Sequence, residues 1–153
     1  MTHAIVPVGC GSIAQAVTKH FKSATRESYE TRVIAVEPTT AACLKSSLEA
    51  GKMSKVETGD SIMCGMNCGI LSTTAWPVLK RGVDVSVVVS EVESHKAVEE
   101  LDQLGVHAGP CGAASLAALR RLCEEARGDC ALDEDSVVVL LCTEGSRKFE
   151  VPI

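Results

Sequence analysis

Four short apolar runs, His3 to Val8, Arg32 to Val36, Val83 to Val89 and Ser136 to Cys142, alternate with stretches of helical periodicity. Few folds accommodate that alternation. Short β-branched runs bounded by glycine and polar residues read as buried strands. A helix between successive strands returns the chain so that they run parallel. The expectation is an α/β domain, a three-layer open parallel sheet with helices on both faces. In such sheets ligands bind beyond the carboxyl ends of the strands. Chemistry is therefore expected in the loops after Val8, Val36, Val89 and Cys142.

The helical stretches carry their own start and stop signals. Ser12 to Lys22 spaces Ile13, Ala16, Val17 and Phe21 along one face. Thr39 to Ala50 is closed by Gly51, and Thr74 to Lys80 is ended by Gly82. Ser90 to Leu104 opens with a capping box of Ser90 and Glu93 and ends at Gly105. Gly112 to Ala126 is the last helix. Met53 to Leu71 is irregular, rich in Gly, Met and Cys.

Composition narrows the class. A chain of 153 residues fits one domain, and 3% aromatics means a core built from Val, Leu, Ala and Ile. A net charge of −5 without a basic patch argues against nucleic acid as a partner. The opening MTHAIVPVGCG lacks the basic and apolar regions of a secretory signal. No apolar run approaches the roughly 18 residues that a membrane span needs. The expectation is a cytoplasmic protein with no membrane partner. The eight cysteines sit among Gly, Ala and Leu, where a reduced thiol acts as a small hydrophobe. Only Cys64 and Cys68 approach a zinc-knuckle spacing, with no second pair, so no metal site is expected.

The loop Gly9-Cys10-Gly11-Ser12-Ile13 follows a strand and opens a helix. Glycines let backbone approach an anion closely, and the free amides and helix dipole then hold it. Ser12 adds a hydroxyl. The loop reads as a phosphate site; the alternative is a glycine turn that only packs helix on sheet. Gly9-x-Gly11-x-x-Ala14, with Glu37 after the next strand, also fits a dinucleotide fingerprint and hence an NAD-binding Rossmann domain.

The segments TRVIAVEP, GDSIMCGMNCG, GPCGAASLAAL and VVVLLCTEG follow that loop in order. The series resembles the C-terminal half of the fold-type II pyridoxal-phosphate enzymes, the tryptophan synthase β-like family. It is most similar to the diaminopropionate ammonia-lyases, with GDSIMCGMNCG and PCGAA as the most specific pointers. The resemblance runs from about Ile5 to Gly145. It implies pyridoxal 5'-phosphate as cofactor, with Gly9, Cys10, Gly11, Ser12 and Ile13 wrapping its phosphate. Gly65 would lie against a face of the pyridine ring, and Thr143 near the ring nitrogen. Cys142 is the neighbouring candidate at that nitrogen. A neutral hydroxyl there leaves the ring a weaker electron sink than a carboxylate would, which suits β-elimination.

The resemblance also implies what is missing. The family's lysine, which bonds the cofactor and shuttles the α-proton, belongs to a segment upstream of the glycine loop. None of Lys19, Lys22, Lys45, Lys52, Lys55, Lys80, Lys96 and Lys148 has that context, so no catalytic residue is assigned here. Residues 1–153 are expected to be a single partial domain, the cofactor-phosphate half of a lyase that forms pyruvate and ammonia from 2,3-diaminopropionate. Such a half is expected to be inactive alone and to self-associate or be only marginally stable, with a homodimer or a pairing with a full-length relative as its assemblies. A serine/threonine dehydratase-like member and a non-catalytic phosphate-binding paralogue are the alternatives.

Three further residues have two readings each. Glu37 is a partial cation ligand or a cap for the following helix. Cys111 is a thiol activated by a helix N-terminus or a small packing residue near the cofactor. Asp60 belongs to the site or to a turn. His3, His20, His95 and His107 are scattered, and Trp76 beside Pro77 reads as packing.

Overall fold

The first apolar run forms strand β1 (His3–Pro7), buried at every residue. The computed structural model describes residues 1–23, 31–125 and 130–153. Helix α1 (Ser12–Phe21) follows β1, then strand β2 (Arg32–Pro38). A 3-10 turn (Thr39–Ala41) leads into α2 (Cys43–Ala50). Beyond the irregular stretch come α3 (Trp76–Gly82), β3 (Val85–Val89), α4 (Glu91–Gln103), α5 (Pro110–Glu124) and β4 (Val138–Leu140).

The four strands lie in the order β3-β2-β1-β4. All pairs are parallel, with Ile5 opposite both Ile34 and Leu140, and Val36 opposite Val87. Successive side chains on a strand point to opposite faces. Ile5, Ile34, Val36 and Val87 accordingly join Ala97 of α4 and Ala113 and Ala117 of α5 in one core. Val6, Val33 and Ala35 join Ala14 of α1, Leu44 of α2 and Leu79 of α3 in the other. The expected three-layer sandwich is the observed architecture. Among the described residues no helix is long and apolar enough to cross a membrane.

α5 is made of small residues where it meets the sheet. Gly112, Ala113, Ala114, Ala117 and Ala118 are all buried. A Cβ on Gly112 would come within 2.5 Å of the Glu144 carbonyl oxygen, so the strand leaving β4 passes directly over the helix start. The Ser115 hydroxyl donates to the Leu141 carbonyl at 3.0 Å, satisfying a buried hydroxyl and fixing the helix on the sheet.

The capping box forms as its spacing requires: Ser90 Oγ accepts the Glu93 amide, and Glu93 accepts the Ser90 amide at 2.7 Å. Gly51 takes φ +66 and closes α2. Several boundaries differ from the sequence expectation; β2 runs on to Pro38, and β3 starts at Val85 rather than Val83. The first turn of the expected Thr39–Ala50 helix is 3-10, because Glu37 takes the amides of Leu44 and Lys45 and starts the α-helix afresh. α3 starts at Trp76 with Pro77 in its first turn, and α5 starts at Pro110, a residue suited to N1 because it has no N–H to orphan. β4 spans only Val138–Leu140, since β1 offers it His3, Ala4 and Ile5 as partners.

Candidate active site

The chain leaves β1 through Val8 and turns at Gly9. A Cβ on Gly9 would come within 3.0 Å of the Gly65 carbonyl oxygen, so the loop is pressed against the turn at Cys64–Met66. Gly11 has φ +95, and a Cβ there would come within 3.0 Å of Leu79 Cδ1. Left-handed backbone and lack of space both require glycine at that position. α1 then starts at Ser12 without a side-chain cap. Its first amides have no intrahelical partners, and its last turn carries Lys19 and His20, opposite the negative dipole end.

This loop opens on a cavity of about 350 Å³ at the carboxyl end of the sheet. Gly9, Cys10, Gly11, Ser12, Ile13, Gly65 and Thr143, the residues singled out in the sequence, all line it. Thr143 rather than Cys142 faces the cavity; the Cys142 thiol donates instead to the Glu144 carbonyl at 3.7 Å. Pro7, Met66, Cys68, Cys111 and Glu144 complete the wall. No lysine lines it.

Glu144 is a further functional residue of this wall. Its Oε2 accepts the Cys111 amide at 2.7 Å and its Oε1 accepts Arg147 Nε at 2.7 Å. Arg147 also donates to the Ile62 carbonyl, tying the last segment to the loop that carries Gly65. A carboxylate at the N-terminus of α5 is favoured by the dipole. The only sequence signal was its place directly after Thr143.

The thiols divide by environment. Cys10 is exposed, and the Ser12 hydroxyl at 3.4 Å, with the Ser12 amide, holds its pKa below the ordinary thiol value. Cys111 is pushed up to about 11 by burial and by the Glu144 charge. It is thus a packing residue beside Gly65, whose amide points at its sulfur, and not an activated thiol. Cys43 is pushed up to about 12, chiefly by burial, and Cys68 is raised for the same reason.

Glu37 lies outside the cavity. Its carboxylate is buried and accepts the amides of Leu44 and Lys45 at 2.6 and 2.8 Å, so it caps α2. Burial raises its pKa to about 7. A dinucleotide-binding acid would have to stay open to a ribose, and this one is enclosed. Asp60 is exposed in a separate groove shared with Arg147. His3 bridges Thr2 and the Cys130 carbonyl at 2.7 Å each, a structural role, and Trp76 packs beside Lys80. Among the described residues no group of three or more His, Cys, Asp or Glu is placed to hold a metal ion.

The family model described as pyridoxal-phosphate dependent enzyme matches residues 1–143, nearly the whole chain. The chain belongs to this family. Pyridoxal phosphate is the cofactor of these enzymes, and the sheet is that of their fold-type II members. A threonine deaminase from T.th. superposes with a TM-score of 0.82 at 29% identity, covering 97% of this chain and 50% of that one. Maize serine racemase gives 0.82 at 25% identity, covering 95% and 43%. The diaminopropionate ammonia lyase of Escherichia coli gives 0.77 at 22% identity, covering 94% and 39%, a likeness of fold alone. The chain spans half or less of the length of each of these structures. No curated protein matches it.

Proposed function

We propose that residues 1–153 form the phosphate-binding part of a pyridoxal-phosphate-dependent carbon–nitrogen lyase, and that 2,3-diaminopropionate is its substrate. The observation that carries this reading is the cavity lined jointly by Gly9 to Ile13, Gly65 and Thr143. It fits the cofactor on the chain's own geometry. A Cβ on Gly9 would press on the Gly65 carbonyl and the Cys68 sulfur in the cavity wall, α1 presents uncapped amides there, and Gly65 leaves a flat wall beside Cys111. Gly9, Cys10, Gly11, Ser12 and Ile13 would hold the phosphate, Gly65 would admit the ring, and Thr143 would meet the ring nitrogen.

When bound, pyridoxal phosphate supplies a sink for charge developing at the substrate α-carbon. Thr143 would offer that ring a neutral hydroxyl partner in place of a charged one, which suits β-elimination. With no lysine on the wall, the proton-moving amine comes from outside these residues, and the chain alone does not turn over.

The choice of diaminopropionate rests on GDSIMCGMNCG and PCGAA. The similarity to a threonine deaminase at 29% identity favours the second reading, a serine/threonine dehydratase. The lysine-free wall favours a third, a non-catalytic binder of phosphate ligands. Pyruvate and 2-oxobutyrate release by the 153-residue chain, alone and with a lysine-bearing half from a relative, separates them. Faster release from 2,3-diaminopropionate than from serine or threonine by the combined halves supports the lyase. The reverse order gives the dehydratase, and no turnover in either form gives the binding paralogue. Turnover by the chain alone contradicts the proposal.

A further inference from the structure

Of the three thiols that line the candidate cavity, Cys10, Cys68 and Cys111, the first two flank the glycine loop. Both are free. The Cys10 amide donates to the Cys68 sulfur, and that sulfur stands 3.3 Å from where a Cβ on Gly9 would lie. The two side chains therefore flank the same two-residue stretch of backbone. Cys10 is open to solvent, whereas Cys68 is half-buried behind the loop.

We propose that Cys10 and Cys68 are an oxidisable thiol pair, and that a disulfide between them closes the glycine loop to phosphate groups. The closure rests on the phosphate reading above; the disulfide does not. A low-molecular-weight disulfide, RSSR, is the oxidant. The Cys10 thiolate attacks one of its sulfurs, forming Cys10–S–S–R and expelling RS⁻. Cys68 then loses its proton to solvent and attacks the Cys10 sulfur. The Cys10–Cys68 bond forms and a second RS⁻ leaves, so two protein thiols are oxidised as one RSSR is reduced to two RSH.

The environments assign the order. Cys10 is the accessible thiol that Ser12 and the start of α1 keep acidic, the character of an attacking group. Cys68 is disfavoured as a thiolate by burial and by the neighbouring Cys10 charge, and gains by capture rather than by first attack. Cys43 and Cys111, held near 12 and 11, stay protonated. A bond to Cys68 replaces the Cys10 sulfur's 3.4 Å contact with the Ser12 hydroxyl and fixes the loop's mouth.

The test uses the full chain, reduced and then incubated with oxidised glutathione, alkylated and peptide-mapped. The expected product is a Cys10–Cys68 linked peptide. Cys68→Ser is expected to stop at a mixed disulfide on Cys10, and Cys10→Ser to leave Cys68 reduced. Cys123→Ser, on an exposed thiol remote from the cavity, is expected to react as the unaltered chain does. Circular dichroism verifies that each serine variant folds. Oxidation is expected to weaken inorganic phosphate binding at least tenfold, with recovery in dithiothreitol, and saturating phosphate is expected to slow Cys10 modification. Linkage of other cysteines in place of this pair overturns the proposal. A Cys10–Cys68 bond that leaves phosphate affinity unchanged overturns the closure. If the reduced chain binds no phosphate, the phosphate reading and the closure fall together, while the peptide map still decides the thiol pair.

Discussion

Glu144 and Cys111 are joined across the start of α5: the Glu144 carboxylate accepts the Cys111 amide at 2.7 Å. The same carboxylate holds Arg147, which reaches the carbonyl of Ile62. One side chain thus fixes a helix start, the terminal segment and the Gly65 loop. The ion pair is partly exposed, so its own contribution is at most about 1 kcal/mol. The amide cap adds about 1 kcal/mol more. Glu144→Ala is expected to cost about 2 kcal/mol in a urea melt and to speed hydrogen exchange of amides between Ser61 and Cys68. An unchanged melt would remove Glu144 from the site's framework.

Gly11 and Gly51 give a matched pair of substitutions. Both have positive φ, but a Cβ on Gly51 meets open space while one on Gly11 meets Leu79 and Ala75. Gly51→Ala is expected to cost about 1 kcal/mol from backbone strain alone. Gly11→Ala adds crowding and is expected to cost about 2–3 kcal/mol and to abolish phosphate binding. Equal melting shifts for the two would contradict the close packing of the loop.

Ser90→Ala removes the capping box of α4 without touching the cavity. The expected loss is about 1 kcal/mol of stability, with phosphate affinity unchanged. Thermal melts with a parallel phosphate titration separate the two effects.

Glu37 makes stability depend on pH. Its folded pKa, about 7, lies above the ordinary carboxyl value of 4.5. The folded state therefore binds the proton more tightly than the unfolded state. Its stabilising contribution is complete below pH 4.5 and is lost as pH rises through about 7. The expected loss across that window is about 3 kcal/mol at most. Glu37→Gln is less stable at low pH, because an amide cannot accept both backbone N–H groups, and its melting temperature does not follow this pH window. A wild-type melting temperature that rises from pH 5 to 8 relative to Glu37→Gln would reverse the sign.

β4 ends the sheet among the described residues, with Val137 and Val139 56% and 39% exposed. An apolar edge of this kind pairs with other chains. The chain is expected to self-associate at micromolar concentration in sedimentation velocity, and Val139→Lys to reduce it. A monodisperse monomer would contradict this.

Much of the fold was legible because its signals are local. Ser90 and Glu93 are three positions apart, and Gly51 needs only its own backbone angle. The same holds for Gly9 to Ile13, whose place after a strand and before a helix already marked them. What escaped was non-local. Glu144 caps a helix 33 positions away. Glu37 reached forward to amides that only folding brings near it, moving the start of α2. For Cys111 the packing reading was already open in the sequence, and burial with the Glu144 charge decides for it over the acidifying helix N-terminus.

The most direct test is equilibrium titration of the chain with pyridoxal phosphate, followed by absorbance and competed with inorganic phosphate. Saturable binding without an imine band, displaced by phosphate and lost in Gly11→Ala, is the expected result. No saturable binding, or binding indifferent to phosphate and to Gly11, would contradict the assignment of the Gly9–Ile13 loop as the phosphate site.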